Sequence, residues 1–93
     1  MPKPIIQFYY HSDNAHAWLE VPFSLASALG ILRIISKYSY INGTTFYLEE
    51  DVDALLVIQT LESWGFDIKF IDQHVDDCDS PIREYSPWEW LEN

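Results

Sequence analysis

Tyr38-Ser39-Tyr40-Ile41-Asn42-Gly43-Thr44-Thr45-Phe46-Tyr47-Leu48 is the stretch on which the reading of this chain turns. Asn42-Gly43 supplies two residues that tolerate positive φ, as the central pair of a type I′ turn requires. Aromatic and β-branched residues flank the pair on both sides, and such residues favour a pleated, half-buried surface. The stretch therefore predicts a β-hairpin. With a two-residue turn at Asn42-Gly43, Ile41 faces Thr44, Tyr40 faces Thr45, Ser39 faces Phe46 and Tyr38 faces Tyr47.

Downstream of the hairpin, Glu49-Glu50-Asp51-Val52-Asp53 reads as the start of a helix, since acids favour the positive end of its dipole. Asp51 is the expected N-cap. Val52, Leu55, Ile58, Leu61 and Trp64 form the expected core stripe, with Gly65 as a left-handed stop and Phe66 folding back. Asp67 to Gln73 then alternates, Ile68 and Phe70 on one side and Lys69 and Ile71 on the other, which predicts a strand.

Upstream, Ile5 to Tyr10 is a β-rich run closed by the polar cluster His11-Ser12-Asp13-Asn14. Ala17 to Val21 is a second short strand, and the two predict another hairpin. Pro22 suits the first turn of a helix, where its missing N–H costs nothing. Leu25, Ala28, Leu29 and Leu32 recur at helical spacing, and Gly30 is the expected C-terminal stop, leaving residues 31–35 irregular or 3₁₀. The expected order is β-β-α-β-β-α-β followed by an extended tail: an α+β fold with two helices and a mainly antiparallel sheet. Its 93 residues fit a single domain over 1–93, with a core at 1–73 and an acidic, aromatic tail at 74–93.

Composition limits function as firmly as pattern limits fold. At 48% hydrophobic and 16% aromatic residues the chain carries enough apolar surface to fold. Fifteen Asp and Glu against five Lys and Arg give a net charge of −10. Phosphate-backbone binding draws its affinity from Lys and Arg, so direct nucleic-acid binding is not expected, nor attachment to anionic membranes. The N-terminal apolar run is too short for a signal peptide or a membrane span, and a single cysteine, Cys78, excludes an internal disulfide; the cytoplasm is the expected compartment.

Catalytic patterns are sparse. Three glycines make no phosphate-binding loop, and no serine lies in a Gly-x-Ser-x-Gly elbow. The acids flanking Cys78 disfavour its thiolate. If the first and last strands are neighbours, His11, Asp13 and His16 could converge with His74, Asp76, Asp77, Cys78 and Asp79 as a His/carboxylate metal or acid–base site, although their spacing matches no metal-binding motif. Neither a cofactor nor a catalytic residue is assigned. From Asp72 to Glu92 seven acids and one basic residue, Arg83, are interleaved with Ile82, Tyr85, Trp88, Trp90 and Leu91. Such rings either fold back as a lid on the core or anchor a protein partner.

Four stretches carry a resemblance: His16 to Pro22, Ile35 to Tyr40, Tyr47 to Asp51, and Asp79 to Tyr85. Their order resembles a group of short proteins encoded by phages, prophages and plasmids, to which no activity is assigned. The chain departs from the group at Ala15 and Ala17, where glycines are frequent, and at Val52, where a cysteine is. The resemblance implies a mobile-element setting and no particular reaction or ligand.

These readings combine into one leading expectation, a non-enzymatic protein that binds another, basic, protein, such as a host or defence component. The expected contact residues are Tyr85, Trp88, Trp90, Glu49, Glu50, Asp51, Asp76, Asp77 and Asp79. One alternative is an inhibitor that imitates DNA: a domain roughly 32 Å across matches a duplex length with about 19 phosphate charges. The other, less favoured, is the His/carboxylate enzyme. A homodimer is compatible with all three.

Overall fold

The computed structural model describes residues 2–76 and 78–90. Among them the chain forms strand β1 (Ile5–Ser12), strand β2 (Ala17–Pro22), helix α1 (Phe23–Ala28), strand β3 (Tyr40–Asn42), strand β4 (Thr45–Glu49), helix α2 (Asp53–Ser63), strand β5 (Asp67–His74), a 3₁₀ turn (Pro81–Glu84) and a short strand β6 (Ser86–Pro87). The strands join in one sheet of order β5-β1-β2-β4-β3-β6. Four of its pairings are antiparallel; β1 and β5 alone pair in parallel, from Ile5 opposite Asp67 to Ser12 opposite His74. The fold is α+β, with two helices and a mostly antiparallel sheet.

Alternation along the strands separates two faces. Phe8, Leu19, Val21, Phe46 and Leu48 point to one face and pack with Ala26, Ile31, Ile35, Ala54, Val57 and Leu61 in a single core. The opposite face carries His11, Trp18, Glu20, Tyr40 and Tyr47, with His11 packed edge-on against Tyr47 and Trp18 against Tyr40. The end of the chain passes across that second face, where Ile82 is buried, and pairs with β3 through β6.

Several local expectations need correction. The β3–β4 turn lies at Gly43-Thr44, so Asn42 pairs with Thr45, Ile41 with Phe46 and Tyr40 with Tyr47. Gly43 takes φ 62° as the first central residue, the position where a tight hairpin turn of the primed type demands a glycine-like backbone. Helix α2 begins two residues after Asp51: Val52 is the N-cap and supplies no side-chain cap, while Glu49 accepts the N–H groups of Asp51 and Val52. Its buried residues are Asp53, Ala54, Val57 and Leu61, whereas Val52, Leu55 and Trp64 are exposed. Gly65 does take the left-handed conformation, and Phe66 N–H returns to the Leu61 carbonyl. His74 closes β5 and does not open the tail, which is a 3₁₀ turn and a sixth strand where extended chain was expected.

Candidate functional site

Two buried carboxylates, which sequence reading treated as loop and helix-start acids, hold the surface features in place. Asp13 turns the chain between β1 and β2: its Oδ1 accepts the N–H groups of Ala15 (3.0 Å) and His16 (2.9 Å), the pattern by which Asp builds a local turn. Its carboxylate also accepts the Ser80 N–H at 2.9 Å and both Nε and Nη2 of Arg83, at 2.7 and 3.0 Å. A bidentate guanidinium–carboxylate pair is strong and fixes direction. Arg83 chiefly, helped by these N–H donors and opposed by burial, holds the Asp13 carboxyl far below the usual carboxylate range. The pair ties a turn at residue 13 to a turn at residue 83.

Asp53, fully buried at the start of α2, accepts the Ser36 N–H (3.0 Å), the Ser36 hydroxyl (2.6 Å) and the Ser39 hydroxyl through Oδ2. Its Oδ1 has no hydrogen-bond partner among the described residues. Ser39 is itself fully buried; its Oγ accepts the Glu49 N–H at 2.9 Å and its carbonyl accepts the Trp88 N–H at 2.8 Å. One serine thus joins the loop before β3, the end of β4, the start of α2 and the tail.

Around these anchors lies a cleft of about 550 Å³ lined by residues that include His16, Trp18, Lys37, Tyr38, Glu49 and Arg83. Its lining comes from residues 16–18, 37–40, 49–52 and 83. Its charges are largely answered internally: Arg83 by Asp13, and Glu49 by two backbone N–H groups. Lys37 stands over the Tyr38 ring at 5.9 Å, and Asp51 on the same cleft has the opposite sign. This mixture selects no one ligand charge.

A second concavity has a simpler chemistry. Tyr10, Ala54, Leu55, Ile58 and Phe70 floor a groove of about 340 Å³ between α2 and the β1–β5 edge, and the carboxylates of Glu50 and Asp72 border it. The Tyr10 ring meets Phe70 edge-on at 5.7 Å, and its hydroxyl donates to Glu50 Oε2 at 3.0 Å. Burial first, then Glu50, with Asp51 and Asp72 adding, pushes the Tyr10 hydroxyl up to about 12. It therefore remains a donor at every physiological pH, facing three acids.

The parallel pairing does make the first and last long strands neighbours. It places Ser12 Oγ 2.8 Å from His74 Nδ1, and His74 Nε2 2.9 Å from Asp76 Oδ1. A serine, an imidazole and a carboxylate in sequence have the order of a nucleophile relay. Here the imidazole is 44% and the Asp76 side chain 79% exposed, so water competes for each bond. His11 bonds Glu20 at 2.8 Å, and His16 lies 6.0 Å from the Trp18 ring. Among the described residues no group of three His, Cys, Asp or Glu could hold a metal ion.

The expected contact residues separate. Trp88 is half-buried: it packs on Phe46 at 4.8 Å and Phe23 at 6.3 Å and donates Nε1–H to the Leu32 carbonyl at 3.1 Å. Tyr85 packs on Tyr47 at 5.1 Å. Both rings serve the chain's own packing. Trp90 is exposed beneath the Arg33 guanidinium at 5.3 Å. Glu50 borders the apolar groove, Glu49 and Asp51 the larger cleft, and exposed Asp79 lies 3.8 Å from Arg83. Asp77 lies outside the described residues. Sequence reading missed Tyr10, Leu55, Phe70 and Asp72 as one site, because nothing in the sequence pairs β5 with β1.

No protein-family model, curated protein or solved structure matches this chain. No helix among the described residues is long and apolar enough to cross a membrane.

Proposed function

We propose that this is a non-catalytic binding protein of a phage or other mobile element, which docks through acidic surface onto a basic region of a host or defence protein. One observation carries the reading: an exposed apolar groove whose charged neighbours are all carboxylates, with Glu50 and Asp72 on its border and Asp51 acting on the same tyrosine. An apolar floor with a charged rim is the anatomy of a protein contact. Asp13 and Asp53 are the only acids buried among the described residues, so the other described carboxylates meet solvent at least in part.

The test is affinity capture from host lysate on the immobilised chain, at low salt and again at about 0.5 M salt, where surface charges are screened within a few ångströms. The reading expects a specific basic protein retained at low salt and released at high salt. No specific protein in either condition, or a salt-indifferent acidic one, contradicts it.

A further inference from the structure

The exposed groove between α2 and β5 combines two features that constrain its occupant. Helix α2 is apolar over a wider arc than the sheet can cover, because Leu55, Leu56, Val57 and Ile58 follow one another. Ala54, Val57 and Leu61 face the core, which leaves Leu55 turned outward and 43% exposed. Across the groove Phe70, on the edge strand, is 46% exposed. Apolar surface of this kind gains free energy only when something apolar covers it. The bordering side chains are Glu50 and Asp72, and no Lys, Arg or His lines the groove. Lys69 alternates to the other face of β5, away from Phe70.

We infer that the groove takes a basic amphipathic segment of the partner, its apolar side chains against Leu55, Ile58 and Phe70 and its Lys or Arg side chains on Glu50 and Asp72. This rests on the protein-binding reading and gives that surface its ligand chemistry. Charge complementarity chooses this occupant over others. A second copy would bring another net charge of −10 and the same two acids to a rim that already carries them. An uncharged apolar segment would leave both carboxylates partly desolvated with no cation to answer them. A cationic amphipathic segment satisfies floor and rim together, the mode in which an amphipathic helix lies in a groove. The Tyr10 hydroxyl already bonds one of these carboxylates, Glu50.

The experiment uses the full chain, ¹⁵N-labelled, titrated with a synthetic Leu/Lys peptide of about sixteen residues, long enough to hold a helix when bound. Two control peptides replace every Lys by Gln, or keep the composition and scramble the periodicity. The proposal expects binding of the amphipathic cationic peptide alone, with the largest amide shifts at Leu55, Ile58 and Phe70. Leu55→Ser, at an exposed position, should weaken it about fivefold or more, and Glu50→Gln with Asp72→Asn about fivefold, the double variant also flattening the salt dependence.

Peptide binding that is salt-sensitive but indifferent to both variants overturns the groove while leaving acidic protein binding in place. Concentration-dependent self-association abolished by Leu55→Ser overturns it in favour of a second copy. Absence of peptide binding while a captured basic partner still binds overturns the occupant alone; absence of binding to any basic peptide or protein removes the underlying reading as well.

Discussion

Asp13 does a job that its neighbours in sequence do not announce. Its position beside His11 and His16 suggested a metal or acid–base group, but five donors converge on it and tie the β1–β2 turn to Ser80 and Arg83. A partner 70 residues away leaves no trace in local sequence. Its lowered pKa fixes the sign of a pH effect. The unfolded chain binds a proton at Asp13 below about pH 3.9, where the folded chain still does not. The stabilisation is therefore whole above that pH and falls as pH drops towards the folded value. Asp13→Asn should be less stable than the native chain by about 2 kcal/mol at pH 7. In urea denaturation at pH 7 and pH 3 the gap should narrow on acidification; an equal gap at both would contradict the assignment. Ser39 was read as a strand residue opposite Phe46, yet it is the buried hydroxyl on which Asp53 and Glu49 depend. Nothing local distinguishes a structural serine from a solvated one.

Among the elements, type was legible and placement was not. Asn42-Gly43 announced a hairpin, but the register differs by two residues along one strand, and a two-residue shift leaves every side chain on its own face. Hydrophobic alternation therefore could not separate the two registers. Helix α2 was legible from its acidic start and from apolar residues at helical spacing, but the consecutive apolar residues 54–58 hid which face is buried: the sheet selects Ala54, Val57 and Leu61, leaving Leu55 and Trp64 outside. The tail was expected either to close on the core or to anchor a partner, and at Trp88 it closes. Phe23, Phe46, the Leu32 carbonyl and the Ser39 carbonyl all receive this residue. Trp88→Ala should cost about 3 kcal/mol, near the lower end for a large aromatic, because the ring is only half-buried. Thermal unfolding followed by circular dichroism measures it, with a fall in Tm of about 10 °C or more expected. A fall of only about 2 °C would mean that the tail contributes little and that its rings are available to a partner.

Taken whole, the molecule is a slab of 43 × 39 × 21 Å, flatter than the roughly 32 Å sphere that its length suggested. One six-stranded sheet with its helices packed on one face, and only the tail crossing the other, produces that shape. A slab exposes long edges, and the β5 edge is where apolar floor and acidic rim coincide. On the proposed reading, net negative charge would speed encounter with a basic partner, and the groove would determine where it stays. The most direct measurement places a photo-reactive benzoylphenylalanine at position 55, inside the groove, and in a second protein at exposed position 34, outside it. Irradiation with the captured basic partner should give an adduct from position 55 that is lost in about 0.5 M salt, and none from position 34. An adduct from position 34 with none from position 55 would contradict the account.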